Sequence, residues 1–253
     1  MWPFLLGLIS VDFLSLFDGA SAMTTVTTSK GIKAVVWDLD GTLLDTEQLS
    51  SQALQMVLDP FQKVENWELK KKLLGRRAPE WCEIVIEELD MNQQITAKEI
   101  HLQWEHNLNE LCPRVEKCKG AEKLTEHFSE VGIPQAIATS SLSAAVALKR
   151  RNHEDMFARM SFVVTGEMVS RGKPDPSIYT LAARKLGVQP HECLAFEDSM
   201  AGLESAVAAG MQCIAVVDSR WNEEEVQAFL HKGAVRAVKT LDDVMVFIDE
   251  LFK

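Results

Sequence analysis

The chain has 253 residues, of which 47% are hydrophobic and 25% are charged, and its formal net charge is −11. This balance is typical of a globular protein, and the negative charge argues against nucleic acid or an anionic membrane as a partner. The five cysteines include no C-x-x-C pair, which argues against a zinc framework or a disulfide scaffold and favours a reducing compartment.

The first 30 residues are an N-terminal extension that we set apart from the fold. Residues 2–17 are apolar, and Ala20-Ser21-Ala22 resembles a cleavage site, a pattern found in signal peptides and organelle presequences. However, no basic segment precedes the run, and Asp12 interrupts it. We therefore expect a cytoplasmic protein, with organelle targeting or secretion as the alternative if residues 1–22 are a cleaved presequence.

The first predicted element of the fold is a strand at residues 33–37, where a short β-branched apolar run indicates a buried parallel strand. Residues 47–118 then show apolar positions three and four apart, which predicts helices and no strand. The predicted helices cover residues 48–58, 65–74, 80–89 and 97–111.

Beyond Gly120, helices and strands alternate. Strands are predicted at 135–138, 162–165, 194–196, 213–217 and 235–238, and helices at 121–131, 142–151, 176–186, 201–209 and 242–251. This alternation predicts a parallel sheet with right-handed crossovers. The expected fold class is therefore α/β: a Rossmann-like parallel sheet core at residues 31–46 and 119–253, interrupted by an inserted all-helical domain at residues 47–118.

Polar residues follow four of the predicted strands, at the point where each strand ends. They are Asp38 and Asp40, Thr139 and Ser140, Lys173, and Glu197 and Asp198. The carboxyl ends of parallel strands meet at one edge of a sheet, which is where open α/β sheets bind ligands. We therefore expect these side chains to form one site.

The pair Asp38 and Asp40 carries the chemistry of the prediction. Two neighbouring carboxylates attract a divalent cation, and oxygen ligands suit Mg²⁺. One carboxylate can attack phosphorus and form an aspartyl phosphate, while the other exchanges protons with the leaving oxygen and with water. A calcium-binding loop does not fit, because it would need Gly and Glu where Leu43 and Leu49 stand.

The other polar residues each have a local alternative. Thr139 and Ser140 could bind a phosphate oxygen or simply cap a helix. Lys173, held next to a proline, could neutralise a phosphoryl group and keep a carboxylate ionised, or it could simply be a surface lysine.

Asp198 could ligate a metal, and Glu197 could either ligate the same metal or hold one of its ligands in place. Gly202 would allow the close approach that such a loop needs. The alternative is a helix N-terminus that favours acids.

Four motifs in this order resemble those of the haloacid dehalogenase-like (HAD) phosphohydrolase superfamily. They are VVWDLDGTLLDTE, IATSS, GKPDP and FEDSMAGLESAVAAGM, spread over residues 33–218. The resemblance implies that Asp38 is the nucleophile and Asp40 the general acid/base. It implies that Thr139 binds phosphate, that Lys173 stabilises charge, and that Mg²⁺ is held by Asp38, the Asp40 carbonyl and Asp198.

The resemblance also implies that the helical insert is a cap that closes over the site. Arg76 and Arg77, in the cap loop after Gly75, could reach the site and contact the leaving group, and the alternative is a solvated basic pair. Glu47 and Gly75 are further expected substrate contacts. The stretches LLDTE, LLGRRAPE and GIPQAIATSS are similar to family members that act on pseudouridine 5′-phosphate or glycerol 3-phosphate.

We thus expect a monomeric, Mg²⁺-dependent phosphomonoesterase acting on a small phosphorylated metabolite. A phosphomutase of the β-phosphoglucomutase type shares every core residue named here and remains an alternative, as does a non-catalytic binding protein on this fold. A response-regulator receiver is disfavoured, because its acidic pair would come first in the chain and it would have no helical insert.

Overall fold

The computed structural model describes residues 31–73, 78–218 and 220–251. The predicted targeting segment and the predicted substrate contacts Gly75, Arg76 and Arg77 lie outside the described residues. Within those three ranges, no helix has both the length and the apolar character needed to cross a membrane.

A parallel sheet forms the centre of the described chain. Its strands are β1 (Ala34–Trp37), β2 (Gln135–Ala138), β3 (Met160–Val164), β4 (Cys193–Glu197), β5 (Gln212–Val216) and β6 (Arg236–Val238). They are arranged in the order β3-β2-β1-β4-β5-β6, so β1 lies between β2 and β4. The expected Rossmann-like α/β class is confirmed.

The segment after β1 is helical, as the sequence predicted. Its helices, which we call the helical insert, are α1 (Thr46–Leu58), α2 (Trp67–Leu73), α3 (Ala78–Glu88) and α4 (Ala97–Leu111). The insert has a hydrophobic cluster of its own, in which Leu54 and Val57 of α1 pack with Val85 and Ile100. The domain boundaries at residues 46/47 and 118/119 stay a prediction.

Helices also connect the later strands. They are α5 (Ala121–Glu130), α6 (Ser143–Arg150), α7 (Glu154–Ala158), α8 (Ser177–Leu186), α9 (Met200–Ala208), α10 (Glu223–His231) and α11 (Leu241–Val244). Two of these were not predicted. One is the short α7, and the other is α10, although its Asn222–Glu225 capping box was legible in the sequence.

The predicted C-terminal helix at 242–251 is wrong in its extent. The structure instead has the short α11 and then a separate 3₁₀ turn at Ile248–Glu250. The buried residues Leu241, Val244 and Ile248 are three and four positions apart, which is the spacing of a helix, but Val246 among them is 89% exposed. The spacing therefore marks which residues are buried, although the backbone between them is not one continuous helix.

Strand β1 is buried on both faces because its side chains alternate between two cores. Val35 and Trp37 face one cluster, and Ala34 and Val36 face the other. The Trp37 ring stacks on Phe196 with centroids 4.4 Å apart. The Trp37 indole N–H donates to the side chain of Gln135 at 3.0 Å, so this buried polar group is satisfied. The loop that leaves β1 therefore starts from a rigid position.

Candidate active site

The sheet brings the predicted site residues to one edge. The Asp38 N–H donates to the Phe196 carbonyl at 3.0 Å, which ties the end of β1 to β4. The Thr139 N–H donates to the Val164 carbonyl at 3.0 Å, which ties the end of β2 to β3. Loops leaving neighbouring strands therefore meet where ligands bind in such sheets.

Lys173 is the buried cation of this edge. Its Nζ lies 2.5 Å from Asp38 Oδ1 and also forms an ion pair with Glu197. The side chains of Lys173 and Asp38 are each 7% exposed. Burying an ammonium is costly unless it is paired and hydrogen-bonded, so these two carboxylates hold it in place.

Glu197 has both carboxylate oxygens occupied. Its Oε1 accepts from Lys173 and, at 2.8 Å, from the Tyr179 hydroxyl. Its Oε2 accepts from the N–H and the hydroxyl of Ser199, at 3.2 and 3.0 Å. A Cβ on Gly202 would lie only 1.8 Å from Glu197 Oε1. The close approach predicted for Gly202 is therefore present, and Glu197 is positioned to anchor Lys173.

Asp198 completes a group of three carboxylates. Asp38, Glu197 and Asp198 each place an oxygen so that all three oxygens lie within 4.8 Å of one another. The Thr42 hydroxyl donates to Asp198 Oδ1 at 3.3 Å. Gly41 has φ +87°, and a Cβ there would lie 2.1 Å from Asp198 Oδ2, so only glycine leaves room for this carboxylate.

The residues present fit a hard divalent cation. Burial, together with the Asp38 and Glu197 charges, raises the pKa of Asp198 well above its ordinary value. Burial likewise raises the pKa of Asp38, even though Lys173 opposes this. Three crowded carboxylates beside one ammonium leave negative charge uncompensated, which an oxygen-ligated dication would neutralise. The Asp40 carbonyl stays a predicted ligand.

Asp40 lies in a separate network of donors. Its Oδ2 accepts from the Ser141 hydroxyl at 2.7 Å and from the Thr139 hydroxyl at 3.2 Å. Its Oδ1 lies 2.5 Å from Lys149 Nζ. Burial alone would raise the pKa of Asp40, but the charge of Lys149 and the hydrogen bonds from Lys149 and Ser141 lower it. These surroundings favour the ionised form of Asp40, and the Thr139 hydroxyl already has an acceptor.

The sequence reasoning missed several residues of this edge. Ser141 immediately follows the predicted pair Thr139 and Ser140; of these two, Thr139 is buried and Ser140 is exposed. Lys149 was missed although it is buried together with Val146, three residues earlier, on the inner face of α6. A lysine on the apolar face of an amphipathic helix is the signal that could have identified it.

A cavity of about 580 Å³ opens between this edge and the helical insert. Its lining includes Gly41 and Asp198 from the edge and Glu47 and Lys70 from the insert. The Lys70 Nζ donates to the Glu47 carbonyl at 3.0 Å and lies 3.3 Å from the Glu47 carboxylate. The predicted substrate contact Glu47 is thus at the cavity, although its carboxylate is paired with Lys70.

The insert contacts the core near this cavity. The Arg220 guanidinium, in the loop after β5, lies 4.0 Å from the centroid of the Trp67 ring at the start of α2. Arg220 also forms an ion pair with Asp218, and both Asp218 and Trp221 line the cavity. A cation–π contact here holds the insert against the core.

Comparisons with known proteins agree with this geometry. A family model described as haloacid dehalogenase-like hydrolase matches residues 35–216. The mitochondrial (DL)-glycerol-3-phosphatase 1 of Arabidopsis thaliana is 34% identical over 207 residues, which cover 79% of this chain and 70% of that protein. A Drosophila melanogaster protein named "Probable pseudouridine-5'-phosphatase" is 34% identical over 195 residues, 75% of this chain and 84% of that one.

A solved structure is similar over most of the fold. It is the HAD family hydrolase from Deinococcus radiodurans R1, with bound phosphate and sodium. It is 25% identical to this chain, with a TM-score of 0.74, and the match covers 89% of this chain and 99% of that one.

The substitution Gly202→Ala tests how tightly Glu197 is held. Alanine normally stabilises a helix by about 1 kcal/mol relative to glycine. Here its Cβ would collide with the Glu197 carboxylate, so we expect a net loss of roughly 1–3 kcal/mol in the free energy of unfolding. Denaturant titration measures it. Gly172→Ala is the matched control, because a Cβ at Gly172 meets nothing within 4 Å; equal stabilities of the two variants would contradict this reading.

A double-mutant cycle tests the contact between insert and core. Trp67→Ala, Arg220→Ala and the double variant should give a coupling free energy of about 0.5–1 kcal/mol in unfolding experiments. Arg236, 4.2 Å from the Phe247 ring within the core, provides the reference pair. Coupling in the reference pair but none between Trp67 and Arg220 would mean that the insert does not rest on the core in solution.

Proposed function

The chain belongs to the haloacid dehalogenase-like hydrolase family and is a phosphoric monoester hydrolase, and within that family we propose that it is a Mg²⁺-dependent phosphatase that transfers the phosphoryl group to Asp38. One observation carries this assignment of the nucleophile. Asp38 is buried and paired with Lys173 at the edge of the sheet where Asp198 also lies. A carboxylate, a cation and a candidate metal ligand are therefore adjacent.

The surroundings of Asp38 suit a nucleophile in phosphoryl transfer. Lys173 favours the ionised carboxylate and is near enough to neutralise charge on the transferred group. Such reactions gain mainly from positioning and charge neutralisation. Tyr179 and Ser199 hold Glu197, and Glu197 in turn holds Lys173 on the core side. Asp38 is the other carboxylate partner of Lys173.

Asp40 is the proposed proton carrier. Because Lys149 and Ser141 favour the ionised form of Asp40, this carboxylate must first take up a proton from solvent. In the first step an Asp38 oxygen then bonds to phosphorus, the ester P–O bond breaks, and the Asp40 carboxyl gives that proton to the leaving alkoxide. In the second step water attacks the phosphorus of the aspartyl phosphate, Asp40 takes its proton, and the bond to Asp38 breaks. Thr139, whose hydroxyl contacts Asp40, and the exposed Ser140 are proposed to contact the phosphate.

Asp38 and Asp198 would hold the magnesium ion, together with the Asp40 carbonyl, and Glu197 would support them. When bound, the ion supplies charge neutralisation at the phosphoryl oxygens and orients them toward the nucleophile. The chain's own residues provide the remaining functions, which are attack, proton transfer and exclusion of water by the insert.

The proposed substrate class is a small phosphorylated metabolite. The cavity of about 580 Å³ has the size of a small-molecule site and reaches Asp198, although its lining includes neither Asp38 nor Lys173. Glycerol 3-phosphate and pseudouridine 5′-phosphate are the first candidates, because the names of two relatives specify them. Glu47 lies at this cavity, and Gly75, Arg76 and Arg77 remain proposed contacts to the leaving group.

Substitution of the two aspartates tests the assigned chemistry. Asp38→Asn should abolish release of inorganic phosphate, because no other carboxylate replaces the nucleophile. Asp40→Asn should lower kcat by roughly 10²–10⁴-fold, as loss of a general acid–base does. Phosphate release should be followed over glycerol 3-phosphate, pseudouridine 5′-phosphate, FMN, nucleoside monophosphates and sugar phosphates.

The same panel separates the alternatives. Phosphate release by Asp38→Asn at the wild-type rate would refute the assigned nucleophile. Isomerisation of β-glucose 1-phosphate without phosphate release would instead indicate a phosphomutase. Absence of both reactions in folded protein would favour a binding protein.

Removal of magnesium tests the cofactor by two readouts. EDTA should abolish turnover, and excess Mg²⁺ should restore it. Mg²⁺ should also raise the thermal midpoint, since binding at a hundredfold excess over Kd stabilises the fold by about 2.7 kcal/mol. Asp198→Asn should remove that increment and should stabilise the metal-free protein, because it relieves repulsion among crowded carboxylates. An unchanged midpoint in wild type with Mg²⁺ would argue against the site.

A further inference from the structure

Lys149 is a buried lysine that the mechanism above leaves unused. Its side chain is 6% exposed, and its Nζ lies 2.5 Å from Asp40 Oδ1 and 2.8 Å from the Ser141 hydroxyl. We propose that Lys149, acting with Ser141, is a positioning residue that aims the Asp40 carboxyl group at the leaving oxygen of the substrate. This inference rests on the proposed function, since it concerns the proton transfer assigned to Asp40.

The hydrogen bonds form a closed triangle with a defined direction. Lysine is only a donor, so the Ser141 oxygen accepts from Lys149, and the Ser141 proton must point elsewhere. It points to Asp40 Oδ2, which lies 2.7 Å away. Lys149 therefore fixes Asp40 Oδ1 directly and fixes Oδ2 through Ser141. A carboxylate held at both oxygens from different sides cannot rotate freely about its own axis.

The location of Lys149 is hard to explain by stability alone. It lies on the inner face of α6 together with the buried Val146, where an apolar side chain could be buried without the desolvation penalty of a charge. Burying an ammonium requires strong pairing, and replacing a buried pair by apolar residues is often neutral or stabilising. The lysine at this position is therefore better explained by what it does to Asp40 than by packing.

Lys149 is also poorly placed to bind substrate itself. Its Nζ is directed at Asp40 and Ser141, and almost none of its side chain reaches solvent. Lys173, at the other side of the site, already pairs with Asp38 next to the expected phosphoryl position. The two buried lysines thus have different partners: Lys173 pairs with the proposed nucleophile Asp38, and Lys149 pairs with the proposed proton carrier Asp40.

The proposed role of Lys149 predicts that the effect of its removal on kcat/KM depends on the leaving group of the substrate. An alkoxide must receive a proton as it departs, so a misdirected Asp40 slows its release. A nitrophenolate departs without a proton. The parameter kcat/KM reports only the steps up to departure of the leaving group, so it excludes the later attack of water, in which Asp40 also takes part.

The experiment compares kcat/KM of Lys149→Met for glycerol 3-phosphate, or the best alkyl phosphate of the panel, with that for p-nitrophenyl phosphate. We expect a loss of roughly 10–100-fold for the alkyl ester and less than about threefold for the aryl ester. Lys149→Arg should recover most of the loss, because it keeps a buried donor. Ser141→Ala should shift the ratio in the same direction by a smaller factor, and it provides the test if Lys149→Met does not fold.

Arg159→Met is the matched control. Arg159 is a largely buried cation that pairs with Glu122 away from the site, so its loss should lower stability without changing the ratio between the two esters. Equal losses on both esters in Lys149→Met, or no loss on either, would overturn the positioning role while leaving the proposed function intact. Failure of the wild type to release phosphate from either ester would refute the proposed function and this inference together.

Discussion

The burial of Lys173 between two carboxylates is the constraint on which the site depends. An ammonium removed from water must be fully paired, and here Asp38 and Glu197 share that task. Glu197 can do so only because Tyr179 and Ser199 satisfy its remaining acceptor positions. Asp38, the proposed nucleophile, is thus positioned by a chain of hydrogen bonds that begins in the core between the sheet and α8.

The same region carries more negative charge than its one lysine can balance. Burial and mutual repulsion raise the pKa values of Asp38 and Asp198, so the protein alone does not keep both carboxylates ionised at low cost. A bound dication would offset that cost. Glycine at 41 and 202 supplies the space that lets the carboxylates crowd together.

Asp40 lies in the opposite electrostatic environment, only two residues from Asp38. Lys149, Ser141 and Thr139 all donate to it, and its pKa is lowered. These shifts belong to the site without a metal ion, and a dication beside Asp38 would favour its ionised form, as the proposed role of nucleophile requires. The helical insert has a hydrophobic cluster of its own, contacts the core through Trp67 and contributes Glu47 and Lys70 to the lining of the cavity.

The sequence by itself determined the α/β class, the order of most elements and the motif residues at the strand ends. It could do so because strand and helix periodicities are local, and parallel strands necessarily align their carboxyl ends. It wrongly predicted one helix over residues 242–251, because the buried residues of a short helix and a separate 3₁₀ turn happen to have helical spacing. Only the tertiary structure decided the partners of Asp40 and Glu197: Lys149 lies 109 residues from Asp40 in the chain, and no local pattern encodes a contact that folding alone creates.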